Sequence, residues 1–97
     1  MKYEIVFAPQ AVQDLKRLPA RNRAIIRDAI EQHLRFEPDK VSQSRIKRLQ
    51  GIRHPQYRLR VGEIRIFYDI VEEDVEILAI VPKAEAGDWL AEMGEVE

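Results

Sequence analysis

Arg58, Arg60, Arg65 and Phe67 are the side chains of this sequence best placed to do chemistry together. Between them lies Val61-Gly62-Glu63-Ile64, which reads as a two-residue hairpin turn. Glycine at the first loop position fits a type II′ turn. Counting outward from Gly62-Glu63 pairs Val61 with Ile64, Arg60 with Arg65, Leu59 with Ile66 and Arg58 with Phe67. Side chains alternate along a strand, so the three arginines and Phe67 share one face. Tyr57, Leu59, Val61, Ile64, Ile66, Tyr68 and Ile70 point the other way, into a core. Arg60 opposite Arg65 is unfavourable in itself, because like charges across a ladder cost up to about 1 kcal/mol. A phosphate between them reverses the sign, since each guanidinium presents a fork that matches phosphate oxygens. Phe67 beside Arg58 offers a flat surface for a stacked base. The expected ligand is a phosphate backbone.

Further candidates surround this face. Lys47 and Arg48, just before Leu49-Gln50-Gly51, extend the positive groove. His54 precedes Pro55 close to the Arg58 strand, where an imidazole can serve as general acid or base. Lys83 follows the last strand, within reach of a ligand on the sheet face. His33 reads as a helix-flank residue, and Trp89 as core or interface. The chain has no cysteine, no carboxylate cluster with metal-ligand spacing, no Ser-His-Asp pattern, no Walker loop and no dinucleotide fingerprint. No metal and no cofactor are expected.

The elements that must position these residues follow from periodicity. Lys2 to Phe7 alternates and reads as a strand. Pro9 suits the first turn of a helix whose stripe is Val12, Leu15 and Leu18, and Pro19 stops it. A second helix from Ala20 to about Phe36 buries Ile26, Ile30 and Leu34. Residues 40–55 are polar, basic and poorly periodic and read as loop. Tyr57 to Val61, Ile64 to Val71 and Val75 to Val81 are strands, with Glu72-Glu73-Asp74 as a solvated loop. Glu85 to Met93 is a short last helix, with Gly94 as its C-cap. The expected fold is α+β in the order β-α-α-β-β-β-α: an antiparallel sheet with a helical hairpin on one face and a short C-terminal helix.

Ninety-seven residues suit a single domain spanning 1–97, and 34% charged residues fit a globular chain. The net charge of −1 hides an asymmetry. Residues 40–68 carry eight Lys/Arg against Glu63 alone, and residues 69–97 carry ten acids against Lys83 alone. This implies a localised field, while the overall pI of about 6.1 argues against a purely electrostatic nucleic-acid binder. No apolar run is long enough to span a membrane, and the absence of cysteine suits a reducing cytoplasm.

Ala8-Pro9-Gln10-Ala11, Lys47-Arg48-Leu49-Gln50-Gly51, Ala79-Ile80-Val81-Pro82-Lys83 and above all Tyr57-Arg58-Leu59-Arg60-Val61-Gly62-Glu63-Ile64-Arg65-Ile66-Phe67-Tyr68 resemble the RelE/ParE toxin superfamily of type II toxin–antitoxin systems. The likeness covers nearly the whole chain. It implies a RelE-like toxin that binds mRNA in the ribosomal A site, cleaves it without a metal, inhibits translation and is neutralised by a cognate antitoxin. Arg58 and Arg60 match the basic strand positions of RelE-like members, and Arg65 the arginine of the following strand. Lys83 is the basic residue after the last strand, and Trp89-Leu90 stands where several members have a terminal tyrosine or histidine. The superfamily also contains ParE-like gyrase inhibitors, which have no nuclease activity.

Overall fold

The structure is a computed structural model and describes residues 1–97. Its elements are β1 (Glu4–Phe7), α1 (Pro9–Arg17), α2 (Ala20–Leu34), β2 (Ile46–Arg48), β3 (Ile52–His54), β4 (Tyr57–Val61), β5 (Ile64–Val71), β6 (Asp74–Pro82), α3 (Lys83–Met93) and β7 (Glu95–Val96). The main sheet has the order β1-β6-β5-β4-β2, and β3 pairs with β7 in a two-stranded ribbon. The fold is α+β, as expected, but the sheet is mixed. β1 runs parallel to β6, from Glu4 beside Asp74 to Phe7 beside Ile77. Parallel neighbours need a long crossover, and everything between β1 and β6 supplies it.

Prolines punctuate the helices. Pro9 opens α1, Pro19 precedes α2 and Pro82 precedes α3. At each of these positions the missing N–H removes no helical hydrogen bond. The α1–α2 hairpin covers one face of the sheet. Ala11 and Leu15 of α1 and Ile26, Ile30 and Leu34 of α2 pack on Ile46, Leu59, Ile66, Tyr68, Val75, Ile77 and Ile80. The Tyr68 hydroxyl lies in this core and donates to the Pro38 carbonyl at 2.6 Å, and burial raises its pKa.

Two expectations need correction. Residues 40–55 are not all loop, because they contain β2 and β3. Three-residue strands are too short for a period of two to register. The second face of the sheet is not bare either. Ala86, Trp89 and Leu90 of α3 pack there on Phe67, Ala79 and Val81. Gly94 ends α3 as expected, though not in the left-handed conformation. Its φ is −70°, and an added Cβ would lie 2.5 Å from the Leu90 carbonyl oxygen. No helix is long and apolar enough to cross a membrane.

Candidate nucleic-acid interface

The hairpin has the register counted from its turn. Arg58 faces Phe67, Leu59 faces Ile66, Arg60 faces Arg65 and Val61 faces Ile64. Gly62 has φ +58° while Glu63 does not enter the left-handed region, as a type II′ turn demands. β2 adds a third strand, with Lys47 opposite Arg58. The Arg60 N–H donates to the Arg45 carbonyl at 2.9 Å, so Arg45 flanks Arg60 on the side away from Arg65. The face therefore carries Lys47 beside Arg58, and Arg45, just ahead of β2, in a row with Arg60 of β4 and Arg65 of β5.

No carboxylate neutralises this row. The ion pairs of the protein are Arg17–Asp14, Arg35–Glu31, Lys40–Glu37 and His54–Asp69, all away from it. The three hairpin arginines differ in exposure. Arg60 is exposed. Arg65 is only 8% exposed, and one terminal nitrogen donates to the Gly62 carbonyl at 2.9 Å and the Ile64 carbonyl at 3.1 Å. Arg58 is half-buried, and its Nε is buried with no acceptor. Desolvation, then the charges of Arg65 and Arg60, hold the Arg58 guanidinium below the usual arginine range. Arginine stays protonated at any physiological pH, so the consequence is a charge short of a partner. An anion with several acceptor oxygens meets that need.

The remaining candidates differ in what they can reach. Phe67 shares the arginine face but is 1% exposed, stacked on Trp89 with ring centroids 4.9 Å apart and planes 9° from parallel. It offers no surface to a base, because α3 already occupies it. Arg48 points to the opposite face. Its guanidinium lies 5.4 Å from the centre of the Tyr57 ring and donates to the Gln56 carbonyl at 2.7 Å, so it braces β2 and does not extend the groove. Lys83 is exposed at the first turn of α3, and its N–H donates to the Glu63 carbonyl at 2.7 Å, tying that helix to the hairpin tip.

His54 belongs to a separate polar centre. It ends β3, a cis peptide bond joins it to Pro55, and its Nδ1 lies 2.9 Å from Asp69 Oδ2. The other Asp69 oxygen accepts the Gln56 N–H at 2.7 Å. This pair borders a cleft of about 450 Å³ that also includes Gln10, Glu76, Trp89 and Met93. No lysine or arginine lines it. Phe67 lies between Arg65 and Asp69 along β5, so Trp89, stacked on Phe67, stands between the two centres. No group of three or more His, Asp or Glu side chains converges as a metal site. Sequence reasoning missed Arg45 and the Asp69 partner of His54. Arg45-Ile46-Lys47 does alternate, but three residues make a weak strand signal, and the Asp69 contact spans 15 positions.

A family model described as the ParE toxin of type II toxin–antitoxin systems matches residues 5–87. The chain belongs to this toxin family. Among solved structures, the toxin in the RelB–RelE antitoxin–toxin complex of Methanococcus jannaschii is 27% identical with a TM-score of 0.65, over 87% of this chain and 96% of that one. For the RelBE2 toxin–antitoxin complex of Mycobacterium tuberculosis the identity is 27% and the TM-score 0.66, over 84% and 99% of the two chains. A doubly substituted mutant of the Escherichia coli toxin RelE in the free state, 21% identical, has the same fold, with a TM-score of 0.68 over 95% of this chain and 94% of that one. No curated protein sequence is significantly similar to the chain. The toxin thus matches a ParE family model in sequence and RelE-like toxins in structure.

Proposed function

We propose that this toxin is a RelE-like, ribosome-dependent endoribonuclease that cleaves mRNA in the A site and so inhibits translation. The observation that carries the reading is the face shared by Arg58, Arg60 and Arg65, whose guanidinium charges no carboxylate neutralises. In this reading the substrate's 2′-hydroxyl attacks the adjacent phosphorus. The bond from phosphorus to the 5′-oxygen breaks, leaving a cyclic phosphate and a 5′-hydroxyl. One proton leaves the 2′-oxygen and one arrives at the 5′-oxygen, and no metal takes part.

Arg65 stabilises the extra charge on the phosphorane. Its contacts to the Gly62 and Ile64 carbonyls fix it before substrate arrives, and such preorganisation makes a donor effective. Arg58 and Arg60 hold the backbone in line. Arginine does not give up its proton, so Lys47, beside Arg58, and Lys83 are assigned the proton transfers. A face so poor in titratable groups leaves much of the substrate geometry to the ribosome. The partner is a cognate antitoxin, as in the Methanococcus jannaschii and Mycobacterium tuberculosis complexes. An acidic antitoxin segment would cover the arginine face, with affinity falling steeply as salt rises.

The test is to express the chain, trap translating ribosomes and map the 5′ ends of mRNA. Cleavage within the A-site codon is expected, and intact codons would overturn the reading. The ParE name of the matching family model favours a second reading, inhibition of DNA gyrase without nuclease activity. Loss of supercoiling by purified gyrase, with intact mRNA, would establish it.

A further inference from the structure

The edge of the sheet carries Arg45, a cation with no part in the cleavage step, beside Arg60. Arg45 lies just ahead of β2, and Ser42 Oγ accepts the N–H groups of both Arg45, at 3.0 Å, and Ile46, at 3.2 Å. With the Arg45 carbonyl bonded to the Arg60 N–H, the backbone of Arg45 is pinned on both sides. A cleft of about 270 Å³ opens at this point, lined by Ser44, Arg45, Arg60 and Gly62 and by no hydrophobic side chain. Neither guanidinium has a carboxylate within ion-pair distance. The charge of Arg45 is felt nearby, where it helps hold the His33 imidazole below its ordinary range.

We propose that Ser44, Arg45 and Arg60 form a second phosphate subsite, which takes the RNA backbone phosphate next to the one held at Arg58 and Arg65. The inference rests on the RNA-cleaving reading and gives the bound strand a direction, across β5 and β4 towards the β2 edge. Neighbouring strands lie about 4.8 Å apart, so the row from Arg65 to Arg45 spans roughly 10 Å. Two guanidinium forks and a hydroxyl match the acceptor oxygens of a phosphodiester. A protein partner fits less well, because interfaces are anchored by apolar or aromatic side chains in pockets and this cleft has no apolar wall.

The experiment is single-turnover cleavage of the A-site codon on translating ribosomes by the purified full chain. In Arg45→Ala the toxin concentration for half-maximal rate should rise roughly tenfold, as for the loss of a charge-assisted hydrogen bond, with the saturating rate almost unchanged. The Arg45 side chain makes no hydrogen bond within the protein, so the melting temperature should not move. A second arm uses mRNAs in which single phosphates around the codon are replaced by neutral methylphosphonates. One position should weaken the wild type by the same factor and leave Arg45→Ala unaffected, as for two halves of one contact. Equal loss in both proteins at every position would overturn the subsite, as would a variant that cleaves like the wild type. Weakened antitoxin binding with unchanged cleavage would reassign the cleft to a protein partner. A wild type that cleaves nothing defeats the nuclease reading itself, a result distinct from an active wild type matched by its variant.

Discussion

Arg65 and Arg58 hold the same charge on the same face in opposite states. Arg65 is anchored to two carbonyls of its own turn, whereas Arg58 keeps a buried donor without an acceptor. Replacing Arg65 by alanine should lower cleavage by about 10²–10³-fold, the usual loss for one preorganised donor. It should also cost about 1–2 kcal/mol in urea unfolding, because two hydrogen bonds at the hairpin tip disappear. An exposed cation would have cost almost nothing, so the stability loss distinguishes the buried Arg65 from the freely solvated one that the sequence suggests. Arg58→Met should do the reverse. It keeps the apolar stem, removes the orphaned donor and the repulsion from Arg65 and Arg60, and should raise stability by about 1 kcal/mol while weakening RNA binding. The sign is fixed by the pKa. The folded chain disfavours the charged guanidinium, so the penalty is fully present below the depressed folded value, neutral pH included. It vanishes only at strongly alkaline pH, and urea titration of the variant at neutral pH is the measurement that reveals it.

Among the elements, β6 shows how a helix can complete a sheet edge. β1 covers β6 only as far as Ile77, where the Ala8 N–H reaches the Ile77 carbonyl at 2.9 Å and the chain turns into α1. Past that point the outer edge of β6 has no strand beside it. Asp14 of α1 takes over, accepting the Ile80 N–H at 2.9 Å, and the carboxylate is itself buried. Asp14→Ala should leave that buried N–H unpaired and cost about 1–3 kcal/mol, while Asp14→Asn, which keeps an acceptor, should cost less. Chemical denaturation of the two variants checks the ranking. The β5–β6 turn carries a different liability. Glu72 has φ +57°, a conformation that costs an L-residue about 1–2 kcal/mol, so Glu72→Gly should raise the melting temperature even though glycine loses more chain entropy.

For the molecule as a whole, charge is divided between a basic hairpin region and an acidic C-terminal third, and the field of the basic region reaches α2. His33 is held below its ordinary pKa of 6.5, first by burial and then by Arg45. Between that depressed value and 6.5 the unfolded chain binds more protons than the native one, so stability rises with pH across this window and is lowest below it. The melting temperature should therefore fall as the solution is acidified from neutral through the window, and His33→Gln should flatten that limb. The hairpin register, the helix boundaries at Pro9 and Pro19 and the core stripe of Ile26, Ile30 and Leu34 were legible in the sequence. Each depends on a local rule: strand alternation about a glycine turn, the missing proline N–H, and the 3.6-residue helical period. What covers the second face was not legible. Phe67 alternates outward with the arginines, yet it is buried because α3, beginning 16 residues later, folds back and lays Trp89 on it. The place of Arg45 beside Arg60, the bracing role of Arg48 on the opposite face and the Asp69 partner of His54 likewise come from strand neighbours distant in sequence. Alternation assigns a side chain to a face of its strand. Only long-range packing decides whether that face meets solvent, a helix or another charge.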